Sequence, residues 1–132
     1  MRMNATLFRQ EAPLTVRGDG SRSDFPRLYK AESLDISLHL MHSSSGSYTL
    51  IGILTSVSES ADAFEKMDAE LYTMPGPYVS DGDEQAAIPL LRTQIDDLGH
   101  MVFREVPEGE YMLILHLPGL DVVIEGLPIG QH

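Results

Sequence analysis

The stretch Ile95-Asp96-Asp97-Leu98-Gly99-His100-Met101-Val102-Phe103-Arg104-Glu105-Val106-Pro107-Glu108-Gly109-Glu110-Tyr111-Met112-Leu113 reads as strand, tight turn, strand, tight turn, strand, with no room for a helix. Gly99 and Gly109 stand where a hairpin takes a positive φ, and Pro107 presets the turn that Gly109 completes. Asp96-Asp97 ahead of Leu98-Gly99 is turn chemistry as well, since an Asp side chain bonds the backbone two residues on.

Upstream, Leu34, Ile36, Leu38 and Leu40 alternate with Asp35, Ser37 and His39, the pattern of a half-buried strand. The turn His42-Ser43-Ser44-Ser45-Gly46-Ser47 returns the chain as Tyr48 to Thr55. A polar stretch, 56–65, leads to Lys66 to Tyr72, in which Met67, Ala69 and Leu71 point inward. Within it, Ser60 to Lys66 has room for a single helical turn. Four further short strands follow around residues 90–95, 101–104, 111–117 and 121–125. This predicts an all-β antiparallel sandwich of about seven to eight strands, with turn signals about every eight to twelve residues. Its expected core is Ile36, Leu38, Leu50, Leu71, Leu90, Phe103, Tyr111, Leu113 and Leu115. Residues 1–26 read as an extended lead-in with short strand pieces, 27–129 as the sandwich domain and 130–132 as a tail.

The spacing of Asp96, Gly99, Phe103, Val106, Pro107, Gly109, Tyr111 and Leu113 resembles the carboxypeptidase-regulatory-like group of prealbumin-type (transthyretin-like) β-sandwiches. Leu28 to Ala31, Leu34 to Leu40 and Tyr48 to Leu54 are similar to the opening strands of such domains encoded beside bacterial sigma factors and caspase-like peptidases. Leu117-Pro118 and Val122 to Leu127 are similar to their last strand. The resemblance implies a small sandwich without its own catalytic site. The closing Pro128-Ile129-Gly130-Gln131-His132 departs from the histidine-containing, Tyr-Arg-Gly-Ser-ended pattern of the hydrolase branch. Some surface-protein relatives join a first-strand Lys to a last-strand Asn or Asp, and Lys30 and Asp121, with Glu70 as helper, are roughly so placed. A solvated Lys30 is the ordinary state of a lysine, and it is the state expected here.

At 132 residues the chain can bury a core without metal or disulfide staples. The absence of Cys and of an apolar leader-length run in Met1 to Arg9 predicts a cytoplasmic protein, and no segment is long enough to span a membrane. A net charge of −11 repels phosphate, which excludes nucleic acid, and favours a protein partner with a basic surface.

Chemistry-bearing residues are sparse. His39 and His42, three apart on a strand, face opposite sides and do not form a metal pair. His100 and His116 fall on strands expected to be neighbours, where they meet across a sheet without a third ligand. Asp81-Gly82-Asp83-Glu84 has oxygen ligands for a hard cation but not the twelve-residue calcium pattern. Arg17-Gly18-Asp19 reads as loop composition. There is no Cys and no Gly-x-Ser-x-Gly nucleophile, so no catalytic, cofactor or metal residues are assigned.

The long connection 74–85, with Tyr78, Asp81, Asp83 and Glu84, is the expected partner-binding loop, because long connections inside compact domains are often functional. The reading is a non-enzymatic protein-interaction or regulatory module of bacterial signalling or defence: a regulator, adaptor or substrate of a caspase-like peptidase or sigma-factor system. The alternative, a carbohydrate-binding accessory module, meets a chain with no Trp to stack on sugar.

Overall fold

The computed structural model describes residues 2–10, 26–42, 46–73 and 89–130. Among them are ten strands: β1 (Arg2–Asn4), β2 (Thr6–Gln10), β3 (Arg27–Ala31), β4 (Leu34–His42), β5 (Tyr48–Ser56), β6 (Asp68–Thr73), β7 (Leu91–Gln94), β8 (His100–Val106), β9 (Gly109–Leu117) and β10 (Leu120–Ile129). They form two five-stranded sheets of order β1-β10-β9-β6-β7 and β2-β3-β4-β5-β8. The protein is an all-β sandwich, with the expected strands present and β1 and β2 added from the lead-in. Every pairing is antiparallel except β1 with β10.

The core lies between the sheets, where alternation puts it. Leu34, Ile36 and Leu38 of β4, Leu50 and Leu54 of β5, and Met101 and Phe103 of β8 meet Ala69, Leu71, Leu113, Leu115, Val122 and Ile124 of the opposite sheet. Register places Leu38, Gly52 and Met101 in one inner row, and a Cβ on Gly52 would come within 2.8 Å of the Met101 side chain. Gly52 is therefore the space that Met101 occupies.

On β8 the inward positions Phe103 and Val106 are three apart, which simple alternation forbids. The register shift between Tyr48 and Leu50 of β5 absorbs the extra residue, with Glu105 at φ 56°. This bulge turns Val106 back into the core.

Two expectations change. The turns around Gly99 and Gly109 do not close hairpins, because β7 and β9 belong to one sheet and β8 to the other, so each turn carries the chain across the sandwich. The first is built as read: the Asp96 carboxylate accepts the N–H groups of Leu98 (2.9 Å) and His100 (2.8 Å), and Gly99 sits at φ 82°. The second is not: Gly109 is the first residue of β9, opposite Ile129, and has no positive φ. It is the Tyr111 hydroxyl, donating to the Pro107 carbonyl at 2.6 Å, that fastens this crossing.

Leu90 is likewise not core, being 44% exposed. The strand begins one residue later, with Leu91 opposite Leu71, so positions 91, 93 and 95 face inward and Ile95 takes the buried place. A one-residue slip inverts every side chain. The other eight expected core residues are buried.

Candidate functional site

Two places combine polar groups in a way that invites a functional reading. One lies on the outer face of the sheet that contains β9, and the other at the end of the sandwich where β4 begins and β5 and β9 finish.

On the outer face, period-2 alternation aligns Glu70 and Tyr72 of β6, His116 of β9, Asp121 of β10 and Arg92 of β7. Register sets Glu70 directly opposite Arg92 and His116 directly opposite Asp121. The Glu70 carboxylate is nearly buried and fully used. Its Oε1 accepts the Tyr72 hydroxyl and His116 Nε2, both at 2.8 Å, and its Oε2 accepts Arg92 Nε at 2.9 Å and Nη2 at 2.8 Å. His116 Nδ1 meets Asp121 Oδ1 at 3.0 Å.

Burial alone would raise the Glu70 carboxyl. The hydrogen bonds from His116, Tyr72 and Arg92, together with the charge of His116, outweigh it and hold the group below the usual carboxylate range. For His116, burial pulls downward, but its bonds to Glu70 and Asp121 and their charges push the imidazole above its ordinary value. A carboxylate on each ring nitrogen favours the form in which both nitrogens donate, the imidazolium. In that form the ring has no free lone pair with which to take up a proton, bind a metal or act as a nucleophile. The arrangement is an ion-pair brace across four adjacent strands.

Beside this brace the same face buries Tyr72, Met112, Ile114 and Val123. The alternation reading counted only Tyr111, Leu113 and Leu115 of β9 as inward. The signal was present in the unbroken run Tyr111-Met112-Leu113-Ile114-Leu115, since a strand without polar interruption is buried on both faces.

At the sandwich end, a cleft of about 290 Å³ opens between the β3–β4 turn, the segment after β5, the short 3-10 turn Ala61–Phe64 and the β9–β10 turn. Its floor is Leu34, Phe64, Leu117 and Leu120, and Glu32 and Glu59 stand exposed on its rim. The walls are tied down by backbone bonds. Val57 N–H donates to the Ser33 carbonyl at 3.2 Å, the Ser56 hydroxyl accepts the N–H groups of Ser58 and Glu59, and Lys66 N–H donates to the Ile95 carbonyl at 2.7 Å.

The connections at this end, residues 32–33, 57–67, 95–99 and 118–119, carry exposed Glu32, Glu59, Asp62, Glu65, Asp96 and Asp97 against Lys66 alone. Val57 and Leu98 project there with 85% and 60% of their surface exposed.

The sequence-predicted residues fall out as follows. Tyr78, Asp81, Asp83 and Glu84 lie outside the described residues, as do Gly82 and Arg17 to Asp19. His100 and His116 do not meet, because β8 and β9 are in different sheets. His39 bonds Ser37 at 2.9 Å, while His42 stacks on Tyr48 with ring centroids 4.7 Å apart. Lys30 is exposed and paired with Asp35 at 2.8 Å, in the sheet opposite Asp121 and Glu70, which rules out the Lys30–Asp121 cross-link geometry. Among the described residues no three His, Asp or Glu groups converge to hold a metal ion, and no helix is long and apolar enough to cross a membrane.

Compared with protein-family models, with curated proteins and with solved structures, the chain matches none.

Proposed function

We propose that the protein is a non-enzymatic interaction module that presents the cleft end of a rigid sandwich to a protein partner with a basic surface. The observation that carries this reading is the juxtaposition, in the connections at that end, of six exposed carboxylates, one lysine and two solvent-facing aliphatics, with Arg2 and Lys30 on the adjoining strand ends. Exposed aliphatics among carboxylates are the composition of a contact surface, and the field of the carboxylates steers a cationic partner toward it. The opposite end also carries acids, Glu105, Glu108, Glu110 and Glu125, so charge alone does not choose between the ends. The cleft does.

The likeness of its turn and strand motifs to carboxypeptidase-regulatory-like domains supports a role in bacterial signalling or defence, as a regulator, adaptor or substrate of a caspase-like peptidase or sigma-factor system. That context is supported by resemblance, and the contact surface by side chains.

The test is zero-length carbodiimide coupling of the immobilised protein with lysate of its host, followed by mapping of the coupled carboxylates. Coupling of one protein's lysines to Glu59, Asp62 or Glu65, lost at high salt and in the triple variant Glu59→Gln, Asp62→Asn, Glu65→Gln, is the expected result. Coupling confined to the opposite end, or turnover of a substrate by the isolated protein, overturns the reading.

A further inference from the structure

We infer that the cleft is an anchor pocket for one large apolar side chain of a partner segment whose neighbouring residues are Lys or Arg. This rests on the interaction-module reading above and assigns the chemistry of what enters the site.

Size argues first. At about 290 Å³ the cleft stands at the bottom of the ~300–1,000 Å³ range of small-molecule sites, which suits a single side chain better than a cofactor or a sugar chain. Its floor is Leu34, Leu117, Leu120 and the single aromatic Phe64, which suits an apolar side chain, while the charged groups of the lining, Glu32 and Glu59, repel an anionic ligand. Leu34 and Leu117 at its base belong to the buried core, which makes the floor part of the rigid sandwich, and Phe64 and Leu120 pack against that core. Such a pocket is preformed and loses little entropy when filled.

Charge then selects the flanks. Among the described residues the ionisable ones lining the cleft are Glu32 and Glu59, carried on neighbouring segments that the Val57 N–H to Ser33 carbonyl bond joins, with no Lys, Arg or His beside them in the lining. A segment that seats an apolar side chain in the cleft beside them brings its neighbours against carboxylates, which favours Lys or Arg and rejects Asp or Glu. Glu32 holds its place at φ 58° in the β3–β4 turn, and Glu59 follows the turn closed by the Ser56 hydroxyl, so both rim charges are carried on fixed backbone.

The experiment uses the full chain and three synthetic nine-residue peptides: a central Phe between Lys/Arg pairs, the same peptide with central Ala, and the central-Phe peptide with Glu flanks. Binding is read by amide chemical-shift changes in the labelled protein. The expected result is saturable shifts at Glu32, Ser33, Ala63 and Leu120 for the first peptide, and at least tenfold weaker binding for the other two. Ala63→Trp, which fills the cleft from its wall, and the rim variant Glu32→Lys, Glu59→Lys should each reduce binding by a similar factor while the remaining spectrum stays folded. Equal binding of the central-Ala peptide would reduce the interaction to charge adsorption, and shifts at the opposite end or none at all would remove the pocket; either overturns the inference. Once the partner of the carbodiimide experiment is in hand, full retention of its binding by Ala63→Trp overturns the anchor pocket and leaves the interaction module standing.

Discussion

Gly99 and Gly109 show at single-residue scale what a sequence motif conveys. Both look like turn glycines, yet only Gly99 has positive φ, and a Cβ there would run into the Leu54 carbonyl oxygen. A Cβ on Gly109 meets the Tyr111 ring at an ordinary 3.5 Å. Gly99→Val should therefore lower stability by roughly 1–3 kcal/mol from backbone strain alone, with steric displacement added, whereas Gly109→Val should stay within about 1 kcal/mol of the parent. Urea unfolding midpoints of the two variants check this, and equal midpoints would refute it. Phe103, among the largest fully buried side chains, should cost about 3–5 kcal/mol when cut to Ala. Tyr111→Phe removes the bond to Pro107 and should cost about 1 kcal/mol in the same assay.

The strands themselves were legible wherever apolar and polar residues alternate, as in β4, and least legible where a turn decides which sheet receives the next strand. Asp96-Asp97-Leu98-Gly99 specifies a tight turn through local hydrogen bonds, but nothing local records that β8 pairs with β5 rather than with β7. Long-range packing settles it. The Glu70–His116 brace was missed for the same reason, since its members come from four strands whose order is not written in any short motif.

Its pH response follows from the directions of the shifts. The contribution of Glu70, whose carboxyl is lowered from 4.5, is present above that value and is lost as pH falls through the depressed one. The contribution of His116, raised from 6.5, is complete below 6.5 and is lost as pH rises through the elevated value. The brace thus stabilises most between 4.5 and 6.5. Denaturant midpoints taken from pH 5 to pH 9 should fall more steeply with pH for the parent than for His116→Gln, and parallel profiles would show that the ring binds its proton equally well in the folded and unfolded states.

For the whole molecule, a net charge of −11 gives salt two opposite effects. Exposed carboxylates repel one another and destabilise the compact state, and physiological salt, with a Debye length of about 8 Å, screens that repulsion. Of the opposing ion pairs described here, the exposed Lys30–Asp35 pair contributes no more than about 1 kcal/mol, and the brace around nearly buried Glu70 is screened less than surface charge. Self-repulsion therefore wins, and the thermal midpoint should rise between low and physiological salt. Association with a cationic partner runs the other way, because the field that destabilises the free protein also accelerates encounter. Neutralising Glu32, Glu59, Asp62 and Glu65 together as Gln or Asn should flatten both slopes, raising the low-salt midpoint while slowing association with the central-Phe basic peptide. Differential scanning calorimetry and stopped-flow association, each run across the same salt series, measure the two slopes on one pair of proteins. A variant that alters the thermal slope but leaves the association slope unchanged would place the steering charge elsewhere on the surface, away from the cleft.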